Sequence, residues 1–154
     1  MSSDVVQAKN ILSPSRVLFI DSVSKQDALV SLAKLLASAP QIKRSDELVQ
    51  EILKREELMS TAIGCGIAIP HVRLASVTDL VMAVGICKNP LTDFNALDNE
   101  PVRLLFMIAA SHNQHSYYLK TLSYFSAKLR DENLRASIIS AKSGEEVCNL
   151  LSSD

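Results

Sequence analysis

Residues 79–88 read DLVMAVGICK and residues 102–110 read VRLLFMIAA, and these two runs decide the fold. Successive side chains of a strand point to opposite faces, so a strand wetted on one face alternates apolar with polar. Neither run alternates cleanly. Each therefore reads as a strand of a sheet covered on both faces. The segment between them, NPLTDFNALDNEP, carries proline, asparagine and aspartate and reads as turn chemistry.

Upstream, SRVLFID (15–21) has a short apolar centre rich in strand formers. SVSKQDALVSLAKLLASAP follows. There Ser24 suits an N-cap with Asp27 three residues on, and Ala28, Leu29, Leu32, Ala33, Leu35 and Leu36 recur at helical spacing. Pro40 lies just past the end. SDELVQEILKREE predicts a second helix, with Leu48, Val49, Ile52 and Leu53 on one face and Ser45 or Asp46 as its cap. Downstream of the second strand, SHNQHS reads as a polar loop and YYLKTLSYFSAKL as a helix. ENLRASIISA and SGEEVCNLL predict two closing helices, the last capped by Ser143. The expected class is α/β, a three-layer sandwich. Its central mixed, mostly parallel sheet of about five strands is flanked by helices on both faces. Residues 1–10 are polar and expected to be a loose segment, and 11–152 to form a single domain.

A chain of 154 residues can bury a real core without disulfides or a structural metal. Sixteen basic and 17 acidic residues leave a formal net charge of −1, with no basic surplus for nucleic acid and no charged tail. The three cysteines, Cys65, Cys87 and Cys148, form no CxxC pair and read as small buried apolar residues in a reducing compartment. No run approaches the roughly 20 apolar residues of a membrane span. MSSDVVQAKN lacks the charged and apolar regions of a secretory signal, so a soluble cytoplasmic protein without direct membrane insertion is expected.

Between the second helix and DLVMAVGICK lies TAIGCGIAIPHVR (61–73), with two of the four glycines, one of the five prolines and one of the three histidines. Pro70 fixes its own φ and biases Ile69 towards an extended backbone. Gly64 and Gly66 permit positive φ or a close approach. Such a turn either happens to contain His71 or exists to present it. Imidazole titrates near neutral pH and can act as a nucleophile that forms a covalent intermediate.

With the preceding residues the stretch reads REELMSTAIGCGIAIPH (55–71). This resembles the signature of the enzyme IIA components of the bacterial phosphoenolpyruvate-dependent sugar phosphotransferase system, in the fructose–mannitol (type 2) family. SKQDALVSLAKLLA is similar to the family's first helix, LTDFNALDNEPVRLLFMIA to its turn and inner strand, and YLKTLSYFSAKLRDENLRASIISAKSGEEVCNLL to its C-terminal helices. The resemblance covers residues 11–152.

It implies a phosphotransferase of the carrier type. His71 matches the histidine that accepts a phosphoryl group from phospho-HPr and passes it to a cysteine of enzyme IIB. Arg55 matches an arginine near the active site, and its fork suits phosphate oxygens. Ser60 and Thr61 either donate hydroxyl hydrogen bonds to the phosphoryl group or cap a turn. Family members usually carry a second histidine beside the first. Tyr118 stands at that place, and a tyrosine hydroxyl donates a hydrogen bond but carries no positive charge. His115, three residues earlier, shares a face with Tyr118 if the helix already includes Ser116. It is either a substitute for that histidine or a solvent-exposed loop residue, as is His112. Ala62 replaces a common glycine and Val72 a small residue.

The leading expectation is a phosphocarrier in sugar uptake, with enzyme IIB and membrane enzyme IIC as separate partners. The alternative is the family's nitrogen-regulatory branch, which controls partner proteins by its phosphorylation state. A binding module that has lost phosphotransfer is the remaining class. No metal or organic cofactor is implied for this chain. Ile67, Ile69 and Val72 are candidates for an apolar face towards HPr, although Ile67 and Ile69 also suit the core.

Overall fold

The computed structural model describes residues 6–153. Residues 1–5 of the segment expected to be loose lie outside them. The rest of that segment ends in a short helix, α1 (Ala8–Ile11), which runs on into the expected domain, and Ala8 and Ile11 are buried in a core cluster. A single 3-10 turn (Pro14–Arg16) leads into strand β1 (Val17–Ile20). Helices α2 (Lys25–Ala37) and α3 (Ser45–Leu58) follow. Residues 61–73 then form three short strands, β2 (Ala62–Gly64), β3 (Ile67–Ala68) and β4 (His71–Leu74). The long strands β5 (Val81–Leu91) and β6 (Val102–Ser111) precede helices α4 (His115–Lys128), α5 (Glu132–Ile139) and α6 (Gly144–Ser152).

The sheet runs β1-β5-β6-β3-β2, with β4 also on β6. Six strands replace the expected five or so, because the stretch around His71 is strand interrupted twice. The sheet is mixed. β1–β5, β3–β6 and β4–β6 are parallel, while β2–β3 and the long central β5–β6 ladder are antiparallel. The antiparallel centre follows from its connection. Residues 92–101 form a turn-rich link without a helix, and a parallel crossover needs a dozen residues or more.

The two runs lack alternation because both faces of the sheet are dry. Val81, Ala83 and Cys87 of β5, with Leu105, Met107 and Ala109 of β6, face the cluster under α2 and α3. Met82, Val84 and Ile86, with Leu104, Phe106, Ile108 and Ala110, face the cluster containing Phe125 of α4, Ile138 of α5 and Leu151 of α6. Gly85 lets α2 sit close on the sheet, since a Cβ there would lie 2.8 Å from Cδ1 of Ile20 and 3.2 Å from Cδ2 of Leu32.

Ser24 caps α2 by accepting from the Asp27 amide at 3.2 Å, and Ser143 caps α6 through the Glu146 amide at 3.1 Å. The expected cap of α3 is absent. Arg44 holds the N-cap position without a side-chain bond, and the Ser45 hydroxyl donates to the Ala37 carbonyl at 3.2 Å instead. That bond ties the start of α3 to the end of α2. Of the cysteines, Cys87 is buried, Cys148 is half-buried and Cys65 is exposed, contrary to its expected burial. Cys65 occupies the tip of the β2–β3 turn, where no core reaches it. Among the described residues no helix is long and apolar enough to cross a membrane.

Candidate functional site

The site begins with a backbone device. Gly64, Cys65 and Gly66 have φ of 95°, 57° and 77° in succession. Glycine takes such values without a Cβ clash, and a Cβ on Gly66 would lie 3.2 Å from the Pro101 carbonyl. The Cys65 amide donates to the Asp98 carboxylate at 2.8 Å. That bond, with one from the Glu100 amide, holds the Asp98 carboxyl below its ordinary range. The Gly66 carbonyl accepts from the amides of Arg103 and Leu104 at 2.8 and 3.0 Å. The hairpin is thus fastened to the start of β6.

β3 then runs parallel to β6 for two residues, opposite Leu104 and Leu105. Pro70 has no amide hydrogen to give and ends it. Its carbonyl still accepts from the Ile108 amide at 2.9 Å, so the chain stays in line and β4 resumes at His71 opposite Ile108. Pairing on both sides of Pro70 fixes the backbone that carries His71.

His71 is half-buried, and its Nδ1 lies 2.5 Å from the Ile69 carbonyl oxygen. A carbonyl only accepts, so Nδ1 carries the hydrogen and the lone pair is left on Nε2. Strand alternation turns Val72 into the core, with no exposure, and puts His71 and Arg73 together on the α4 side. Tyr118 of α4 meets them there. Its ring centroid is 5.6 Å from that of His71, tilted by 57°, and the Arg73 guanidinium carbon lies 5.7 Å from the same ring. Burial pushes the Tyr118 hydroxyl up, and the positive charges of Arg55 and Arg73 oppose that shift. Both guanidinium groups therefore act on the same small region.

A cleft of about 460 Å³ opens beside His71, lined by Arg55, Thr61, Ile69, Leu122 and Ser126 among others. Arg55 reaches it from the last turn of α3. Leu58, Met59 and Ile63 also line it while remaining 78%, 77% and 51% exposed, which gives the cleft an apolar rim. Ile67, Ile69 and Val72, the residues considered for a partner face, are buried in the core. Alternation sends the first two under α4 and Val72 under α2 and α3.

Ser60 and Thr61 also line the cleft, with both hydroxyl hydrogens turned inward. Ser60 donates to the Phe94 carbonyl at 2.7 Å, and Thr61 to the Glu56 carboxylate at 2.5 Å. In this arrangement both hydroxyls fasten the turn. His115 is exposed at the first position of α4 and is not among the cleft's lining residues. His112 is exposed too, its Nε2 3.1 Å from the Arg73 carbonyl.

The model of one protein family, described as phosphoenolpyruvate-dependent sugar phosphotransferase system, EIIA 2, matches residues 10–154. The chain belongs to the EIIA type 2 family. The fructose-specific EIIABC component of the Bacillus subtilis phosphotransferase system is 34% identical over 134 residues. That match takes in 87% of this chain but only 21% of the larger relative, so this EIIA chain spans about a fifth of its length. A nitrogen regulatory protein of Klebsiella oxytoca is 38% identical over 132 residues, 83% of this chain and 78% of its own. The crystal structure of nitrogen regulatory protein IIA-Ntr from Neisseria meningitidis superposes with a TM-score of 0.83 at 29% identity, covering 93% of this chain and 97% of that one.

Two features of this EIIA site were not singled out from sequence. Arg73 joins His71 and Tyr118, and its signal was simple: two residues on in a strand means the same face. Glu56 stood in the matched motif with no role attached. Its buried carboxylate accepts from the Thr61 amide at 3.0 Å and pairs with Lys25 at 2.9 Å.

Proposed function

We propose that this EIIA chain is a histidine phosphocarrier with His71 as the phosphoryl acceptor. The observation that carries the reading is the bond from Nδ1 to the Ile69 carbonyl, which leaves Nε2 as the nucleophile beside a cleft holding Arg55. The lone pair of Nε2 attacks phosphorus on the phosphohistidine of HPr. The Nε2–P bond forms as the donor's N–P bond breaks, and that electron pair stays on the donor nitrogen. The hydrogen stays on Nδ1, where the Ile69 carbonyl stabilises the charge of the phosphorylated ring. Arg55 offers its N–H groups to the phosphoryl oxygens, since this chemistry is mostly positioning and charge stabilisation. In the onward step a cysteine thiolate of enzyme IIB attacks phosphorus, and Nε2 recovers its lone pair.

Two uses of that phosphoryl group are supported by the relatives. One is sugar uptake through enzymes IIB and IIC, in line with the fructose-specific relative. The other is regulation of partner proteins by the phosphorylation state of His71. The nitrogen regulatory relatives, 38% identical in sequence and matching the fold at a TM-score of 0.83, are in line with this second use.

The test incubates the protein with phosphoenolpyruvate, enzyme I and HPr and follows it by mass spectrometry. Wild type should gain one acid-labile phosphate and His71→Ala none. A wild type that stays unmodified beside active carriers would sink the proposal. Adding cognate enzyme IIB separates the two uses: transfer to its cysteine marks transport.

A further inference from the structure

A phosphoryl group on Nε2 of His71 would bring close to two negative charges, of which the protonated ring offsets one, to a half-buried, largely apolar cleft. Charge placed in such surroundings needs compensation. Arg55 supplies one cation. Among the described residues the ion pairs are Lys25–Glu56, Arg44–Glu47 and Lys88–Asp21, so neither Arg55 nor Arg73 spends its charge on a carboxylate.

Arg73 is built into place. It shares the face of β4 with His71, and its guanidinium carbon lies 5.7 Å from the Tyr118 ring, which in turn is 5.6 Å from the His71 ring. One Nη1 hydrogen goes to the His112 carbonyl at 3.3 Å, and His112 Nε2 returns to the Arg73 carbonyl at 3.1 Å. This double link clasps β4 to the segment that opens α4. A guanidinium has five N–H donors in a rigid fork, so most stay free for an anion's oxygens. Tyr118 fits the same picture. Its hydroxyl feels both arginines, yet its aromatic face can hold a cation that a positive side chain in its place would repel.

We propose that Arg73 is a second phosphoryl-binding cation at His71, seated by the Tyr118 ring and the His112 carbonyl. The inference rests on the phosphocarrier reading and adds a residue to it. Arg55 from the cleft lining and Arg73 from the Tyr118 side of His71, outside that lining, then hold the phosphoryl oxygens from two elements.

The experiment uses Arg73→Gln, which can keep a donor for the His112 carbonyl while removing the charge and the guanidinium fork, with Arg73→Lys as the charge-preserving partner. Both are compared with wild type by thermal melt and amide NMR spectrum, to show an intact fold. The initial rate of phosphorylation by phospho-HPr should fall at least tenfold in Arg73→Gln and recover in large part in Arg73→Lys. Equal rates in wild type and Arg73→Gln would overturn the proposal. Titration with inorganic phosphate, read on the His71 ring resonances, gives an answer independent of the carriers. Wild type should shift at lower phosphate than Arg73→Gln, and coincident titrations also overturn it. If wild type takes no phosphoryl group at all, the phosphocarrier reading fails. The phosphate titration then still decides whether Arg73 binds the anion.

Discussion

Cys87 shows how a single buried group makes stability depend on pH. Its thiol lies in β5 under α2 and α3, and burial raises its pKa to about 11. The unfolded chain exposes the same thiol with its ordinary value near 9. The folded form therefore binds the proton more tightly. The stability gained by a neutral buried thiol is complete below pH 9 and is lost as the pH rises through about 11. Cys87→Ala should flatten the fall in stability across that window, measured by urea melts at a series of pH values. At pH 8 a thiol reagent should modify exposed Cys65 quickly and leave Cys87 untouched until the chain unfolds. Rapid labelling of native Cys87 would show that β5 opens locally.

At the scale of elements, the turn before β2 is anchored by one carboxylate. Glu56 has a side chain only 3% exposed, and it binds Lys25 of α2 and both the amide and the hydroxyl of Thr61. Lys25 also lies 4.6 Å above the Phe94 ring. The carboxylate thus joins α2, α3 and the segment entering β2, next to Arg55. Glu56→Ala leaves a largely buried ammonium and an amide without their acceptor. It should cost about 3 kcal/mol in a urea melt. Glu56→Gln, which keeps shape and one acceptor, should cost less. Equal stability of wild type and Glu56→Ala would remove Glu56 from this role. Helices such as α2 were legible because apolar residues at 3.6-residue spacing and the Ser24 cap agree. The strands around His71 were not, since runs of two to four residues are too short to show a period. The α3 cap was misread because Ser45 found a tertiary acceptor in Ala37 that no local pattern reveals. The length of their motif brings His71 and Arg55 forward in the sequence, and both line the cleft. Arg73 becomes intelligible once His71–Leu74 is known to be a strand, and Glu56 only when α2 is packed beside it.

At the scale of the molecule, burial on both faces of the sheet decides where a partner can dock. Ile67, Ile69 and Val72, close to His71 in sequence, are absorbed by the two core layers, so they are not available to a carrier. Apolar surface at the cleft comes instead from the end of α3 and from β2, through Leu58, Met59 and Ile63. A protein that delivers a phosphoryl group to Nε2 must cover this rim, and central apolar side chains that become fully desolvated dominate such contacts. Leu58→Asp and Met59→Asp lie on exposed positions and should alter stability by no more than about 0.5 kcal/mol. Each should nevertheless raise the HPr concentration needed for half-maximal phosphorylation about tenfold, equivalent to about 1.4 kcal/mol of docking energy. Val23 is equally exposed, at 75%, and is not among the cleft's lining residues, so Val23→Asp serves as the control and should leave that concentration unchanged. Unchanged transfer in both rim variants would move the docking surface away from α3. The maximal rate should hold in all three, because none of these side chains hydrogen-bonds to His71 or Arg55 or takes part in the bond that fixes the ring.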